Sequence, residues 1–343
     1  MTISFSVFAG EFAANPFLKI TVVLILGVIF VNGFTDAPNA IATCISTGVM
    51  EMGKAIRMAA VFNFAGILFM SLISTGVAYT IYHMVDFGEE PKLALTGLCA
   101  GMVAIILWAA AAWYFGIPTS ESHALIAGLS GAAIAIHGDM QGINGGEWIK
   151  VLYGLVLSVA AGLCLGWLFG KAANHIGNAW FFGKAQTAGA AAMAFMHGAQ
   201  DGQKFMGVFL LGICLAEGKT GAVQFVIPYW MMVLCSIVMA AGTAVGGKRI
   251  IQTVGTVMVR LEKPQGFAAD AAGALCLFMS SLVGIPVSTT HVKTAAMMGA
   301  GAAKNVAEIN LKIVKELAAA WLLTFPGCGI IGFLTAKLFL WFG

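Results

Sequence analysis

Long stretches of this chain carry no Asp, Glu, Lys or Arg over a length that spans a bilayer, among them Met58–Val85, Leu93–Ser120, Val151–Gly170, Thr220–Gly247 and Ala271–Val292. A helix crosses a hydrocarbon core of about 30 Å with roughly 20 apolar residues. Inside lipid every backbone N–H and C=O must be paired within the protein, so such stretches have little choice but to be helical. Composition agrees: 60% of the 343 residues are apolar and 10% are charged, against about 25% charged in a soluble domain. The fold class expected is an all-α polytopic membrane protein. Its 43 glycines suit the close helix packing found in lipid. A net charge of +3, with no basic arm or acidic tail, gives no footprint for nucleic acid. The seven cysteines all lie in apolar stretches without metal-ligand spacing and are expected to be buried small hydrophobes. Met1–Lys19 lacks the pattern of a cleavable signal peptide, so the first apolar helix is expected to be retained.

Shifting the sequence by 168 positions superposes two segments without gaps. Gly116-Ile-Pro-Thr-Ser-Glu-Ser-His123 and the residues to Ala135 fall on Gly284-Ile-Pro-Val-Ser-Thr-Thr-His291 and those to Ala303, with nine of twenty positions identical. A second pair, Gly33-Phe-Thr-Asp-Ala-Pro-Asn39 and Gly198-Ala-Gln-Asp-Gly-Gln203, lies upstream. The chain is therefore expected to be two copies of one unit, residues 1–175 and 176–343, together forming one transmembrane domain. With five crossings per copy and residues 1–19 outside, the inside loops hold 11 Lys and Arg and the outside loops 5, as the positive-inside bias requires. An odd number of crossings makes the copies inverted, a construction of secondary transporters. About 10–12 segments are expected, with helices broken at the motifs. The Gly-Ile-Pro-x-Ser segments are either re-entrant hairpin tips or ordinary helix junctions.

The repeated motifs put polar groups and helix breakers in the middle of apolar runs. Asp36, flanked by Gly33 and Pro38, marks a helix unwound near its centre, and Asp201 with Gln200 and Gln203 repeats the arrangement. A charged side chain at the bilayer centre costs about 2.5–3.5 kcal/mol on insertion scales. Unwound carbonyls, the carboxylates and Asn39 make a hard oxygen cage for a small cation, so Asp36, Asn39 and Asp201 are the Na⁺ candidates. The competing structural reading has each aspartate capping a half-helix or pairing locally, Asp201 with Lys204.

In the other motif pair a proline and a hydroxyl cluster open a glycine-rich helix. Free N–H groups and the helix dipole make such an N-terminus an anion site. Thr119, Ser120, Ser122, Ser288, Thr289 and Thr290 supply neutral donors, and two such ends meeting would surround a tetrahedral oxyanion. The structural alternative is that these hydroxyls only cap their own helices. All three arginines fall in expected loops, which disfavours a site for pyrophosphate or a phosphoryl transition state. His123 and His291 are first structural hydrogen-bonding groups and second proton or anion contacts. Glu121 would repel an anion unless protonated or cation-paired, which places it with the coupling residues.

These residues resemble the inorganic phosphate transporter family, the phosphate:cation symporters often called the Pit family, over essentially the whole chain. Gly33–Thr43 (GFTDAPNAIAT) and His197–Gly207 (HGAQDGQKFMG) look like its paired aspartate motifs. Pro118–Gly128 (PTSESHALIAG) and Pro286–Thr294 (PVSTTHVKT) look like its paired Pro-x-Ser-x-x-His motifs. The His-Gly-x-x-Asp-Gly-Gln-Lys form is similar to the bacterial branch. Thr35 and Gln200 depart from the Asn or His usual before each aspartate, and Glu121 from the usual Ser. The resemblance implies a multi-pass protein of the bacterial inner membrane that takes up inorganic phosphate with Na⁺ or H⁺, uses no cofactor and assembles as a homodimer. It implies a transporter, not an enzyme. The rival readings are a sulfate:cation symporter, an intramembrane lipid-pyrophosphate phosphatase with Ser120 or Ser288 as nucleophile, and a passive channel.

Overall fold

The computed structural model describes residues 3–117, 119–176, 179–218, 225–252 and 258–342; Pro118 of the first hydroxyl motif lies outside them. Among the described residues the chain is built from α-helices, with no strand beyond two isolated bridges. In chain order they are α1 (Phe5–Ala14), α2 (Pro16–Thr35), α3 (Ala37–Ser46), α4 (Met52–Ile73), α5 (Gly76–Tyr82), α6 (Pro91–Phe115), α7 (Glu121–His137), α8 (Gly145–Ile176), α9 (Ala179–Ala216), α10 (Tyr229–Val245), α11 (Lys248–Gln252), α12 (Lys263–Val283), α13 (Thr289–Lys304) and α14 (Leu311–Phe342). Among the described residues six spans are long and apolar enough to cross a membrane: α2 with α3, then α4, α6, α8, α12 and α14. The chain is an all-α polytopic membrane protein. Of its free cysteines, Cys164 alone is exposed and the other six are buried.

Local chemistry sets the breaks. The uncharged run Met58–Val85 divides between α4 and α5, and Ala271–Val292 crosses the junction of α12 and α13. α6 and α12 end alike, on Gly116 (φ 68°) and Gly284 (φ 75°), in the left-handed region where a Cβ is costly. At both ends the amide two residues past the helix folds back: Ile117 N–H donates to Ala112 O at 2.9 Å and Ile285 N–H to Ser280 O at 3.0 Å. Three residues after each of these, a serine opens the next helix. Ser120 Oγ accepts from His123 N–H and Ser288 Oγ from His291 N–H, each at 3.2 Å.

The two aspartate motifs fold differently. Pro38 has no N–H to give Phe34 O, and the helix stops at Thr35 and restarts at Ala37 with Asp36 as the single residue between. Asp201 has no following proline, and α9 runs through it unbroken from Ala179 to Ala216. The expected break therefore occurs at Asp36, as a one-residue interruption, and not at Asp201.

α7 and α13 are the innermost helices. Every residue from Glu121 to Ala133 is buried, as is every residue from Thr289 to Met297, so along these stretches both helices are enclosed by protein on all sides. α8 packs on α13 and α14 on α7, while α9 packs on α4 and α10 on α2. Glycines let these backbones touch. A Cβ on Gly66 would lie 1.9 Å from Phe195 O, and one on Gly242 would lie 2.1 Å from Phe30 O. Both contacts are with backbone, which cannot swing aside. Gly66→Ala and Gly242→Ala should each cost at least the roughly 1–3 kcal/mol of an overpacked core. Thermal unfolding in detergent checks this, and an unchanged midpoint would contradict the close approach.

Candidate functional site

The breaks bring the sequence-distant polar residues to one point. The first turns of α7 and α13 face each other, with the rings of His123 and His291 in edge contact at 4.6 Å between centroids. Phe325 and Trp321 of α14 close over these rings, at 4.6 Å and 3.8 Å. Above the caps, the N–H groups of Glu121, Ser122, Thr289 and Thr290 precede the first i→i−4 bond of their helices.

Asp36 and Asp201 meet at these helix starts. Thr289 Oγ1 lies 3.3 Å from Asp36 Oδ2 and 3.1 Å from Asp201 Oδ2, so one hydroxyl touches both carboxylates. Asp36 Oδ1 accepts from Asn39 Nδ2 at 2.7 Å and from Thr290 Oγ1. Asp201 Oδ2 accepts from Asn32 Nδ2 at 3.3 Å. Lys204 Nζ donates to Asp201 Oδ1 at 2.6 Å, to Ser122 Oγ at 2.5 Å and to Val287 O at 2.7 Å. Glu121, the first residue of α7, accepts from Thr35 Oγ1. None of Asp36, Asp201, Glu121 or Lys204 is more than 2% exposed. The site is closed to both faces.

His197 completes the cluster. Its Nδ1 lies 3.1 Å from Asn63 Oδ1, which can only accept, so Nδ1 carries the hydrogen. Asn63 is itself fixed by donating Nδ2 to Thr243 Oγ1 at 3.1 Å. In the neutral ring this leaves the lone pair of Nε2 turned toward Asp201 Oδ2, 3.4 Å away. One ligand atom each from Asp36, His197 and Asp201 lies within 4.8 Å of the others. Asn32 Oδ1, Asn39 Oδ1 and Glu121 Oε2 are buried acceptors without a hydrogen-bond partner. Buried acceptor atoms left over after the local donors are used are what a cation or proton site offers.

The expected site residues separate by this geometry. Asp36, Asn39, Asp201, Ser122, Thr289 and Thr290 lie in one hydrogen-bonded network, and Glu121 joins it through Thr35, the neighbour of Asp36. Ser120 and Ser288 cap their own helices, with their hydroxyl protons left to donate. Thr119 is half-buried and makes no hydrogen bond to the cluster. Gln200 braces the α12–α13 junction, donating to Ile285 O at 3.0 Å and accepting from Ser281 Oγ at 2.7 Å. Gln203 is buried with both amide atoms unpartnered. In an unbroken helix it projects about 200° around from Asp201, off the face that carries His197, Asp201 and Lys204. The local pairing of Asp201 with Lys204 is present alongside the cluster.

Sequence reasoning missed Asn32 and His197. Both stand four residues before an aspartate on the same helical face, and that spacing is the signal that would have found them. It also missed a second buried ion pair, Lys293 with Asp270, to which Thr43 donates at 2.6 Å. Removing one partner of a buried pair costs about 3–5 kcal/mol because the other charge is stranded. Lys293→Met should lower the unfolding midpoint markedly, and adding Asp270→Asn should recover most of the loss. Additive losses in the double variant would contradict the pairing.

A membrane-embedded fold with a closed, polar centre defines a membrane carrier. A model of the phosphate transporter family matches this chain twice, over residues 32–179 and 173–332. The chain belongs to the phosphate transporter family. It is 35% identical over 310 residues to a Bacillus subtilis protein named "Probable low-affinity inorganic phosphate transporter", covering 88% of this chain and 91% of that protein. A Rhizobium meliloti protein of the same name is 34% identical, covering 93% and 95%. In fold, the chain superposes with a TM-score of 0.84 on a solved structure titled "The sodium-dependent phosphate transporter", at 20% identity and covering 94% and 99%. The family is one of transporters and not of enzymes, and the chain is a multi-pass protein of the plasma membrane.

Proposed function

We propose that this protein is a secondary active symporter that moves inorganic phosphate together with a cation, Na⁺ or H⁺, by alternating access. The observation that carries the reading is the bridge of Asp36 and Asp201 through Thr289, beside unpartnered buried oxygens of Asn32 and Asn39. A carboxylate pair of this kind is held together most simply by a positive ion. The helix starts that supply Ser122, Thr289 and Thr290 also carry the free N–H groups that a tetrahedral anion binds. Cation and anion therefore bind through the same few residues. A cation on Asp36 removes the negative charge that would repel phosphate, and phosphate in turn favours the cation. That mutual dependence is what coupling requires.

The chain is composed, in this reading, of inverted repeats 1–175 and 176–343. Support comes from the matched ends of α6 and α12 and the matched serine caps, and from the two successive matches to one family model. The reciprocal packing of α8 on α13 and α14 on α7 supports it too. Assembly as a homodimer is proposed from the resemblance alone. Among the cations, the sodium dependence named for the similar solved structure favours Na⁺, while the Nε2 of His197 beside Asp201 offers a proton site.

Purified protein in liposomes should accumulate radiolabelled phosphate above its equilibrium level only under an imposed Na⁺ or H⁺ gradient. Unlabelled phosphate should compete well and sulfate poorly. Asp36→Asn should abolish accumulation while leaving the protein folded. Uptake indifferent to both gradients would overturn symport, and equal competition by sulfate would overturn the choice of anion.

A further inference from the structure

The two aspartate motifs are in register along the whole segment. With Asp36 set on Asp201, Asn32 falls on His197, Gly33 on Gly198, Thr35 on Gln200 and Asn39 on Lys204. Three residues after the aspartate, one copy carries a neutral carboxamide and the other an ammonium. The surroundings follow this difference. Asn39 donates Nδ2 to Asp36 and to Thr290 and keeps Oδ1 unpartnered, so every hydrogen-bond partner of Asp36 is neutral. Lys204 Nζ has one carboxylate, one hydroxyl and one main-chain carbonyl around it at 2.5–2.7 Å. These are hard oxygens of the three kinds that coordinate small cations in proteins, and they come from α9, α7 and the α12–α13 junction.

We propose that the Lys204 ammonium is a tethered cation occupying the second-copy cation position, so that only the Asp36 position takes a mobile ion. The inference rests on the coupled-transport reading and deepens it: Lys204 sets how many cations accompany each anion. An ammonium fixed to the chain neutralises Asp201 permanently and is not carried across. Its contacts to Ser122 and to the carbonyl of Val287, next to Ser288, also tie both hydroxyl motifs to that fixed charge. A transporter with Asn at both positions would need a second mobile cation to reach the same charge balance.

Lys204→Asn converts the second copy to the first. Phosphate binding to the purified protein is titrated with Na⁺ at fixed pH and with H⁺ at fixed Na⁺, for the parent, Lys204→Asn and Lys204→Arg. The parent and Lys204→Arg should show a Hill coefficient of about 1 for the driving cation, and Lys204→Asn a value approaching 2, with phosphate affinity regained at high cation. In proteoliposomes, Lys204→Asn should move one more positive charge per phosphate than the parent. If Lys204→Asn is unstable, its unfolding midpoint should be restored by the driving cation, Na⁺ or H⁺, and not by choline. An unchanged Hill coefficient and charge ratio would overturn the inference, as would affinity that no cation concentration restores or instability that neither Na⁺ nor H⁺ repairs. A parent whose uptake ignores cations would instead overturn the coupling reading itself, which keeps the two failures apart.

Discussion

Everything at the centre of this protein turns on how ionised side chains are compensated where lipid and packed helices exclude water. A charge there survives only if a partner meets it. Asp201 is met by the ammonium of Lys204 and Asp270 by that of Lys293. Asp36 has the neutral hydrogen-bond partners Asn39, Thr289 and Thr290, and Glu121 accepts from the neutral Thr35. The imbalance falls at one point, between the starts of α7 and α13. That is where a positive ion would gain most, and in the proposed symport an anion would follow it there.

The helices are arranged to hold that point. α7 and α13 are wrapped on all sides, and α14 closes over their first turns with Trp321 and Phe325. Glycines seat α4 on α9 and α10 on α2, the neighbours of the two aspartates, and at the centre a single threonine hydroxyl touches both carboxylates. The site is sealed in this arrangement, so exchange with either face requires the packed helices to move. The left-handed glycines that end α6 and α12 and the interruption at Asp36 are the breaks in regular helix that lie beside the site.

Much of this was legible in the sequence because the signals were local. Uncharged length gives the spans, Gly-Ile-Pro-x-Ser gives the junctions and caps, and the duplication pairs the motifs. Thr289 and Thr290 were identified from the hydroxyl cluster, and they do reach the aspartates. What was not legible depends on tertiary register. Without a proline, α9 continues through Asp201, which turns Gln203 away and lines up His197 with Lys204. Asn63 orients His197 from another helix, and Asp270 finds Lys293 across the α12–α13 junction. The serines of the two clusters do both jobs weighed for them only in part: Ser122 joins the network, whereas Ser120 and Ser288 cap.

The central claim is that cation and phosphate bind to one another's advantage through shared residues. Equilibrium binding of labelled phosphate to the purified protein, measured across Na⁺ concentration and pH, tests it most directly. The account predicts that phosphate affinity rises with the driving cation, that cation affinity rises with phosphate by the same factor, and that Asp36→Asn removes both dependences. Phosphate affinity that stays constant across Na⁺ and pH in the parent protein would contradict it.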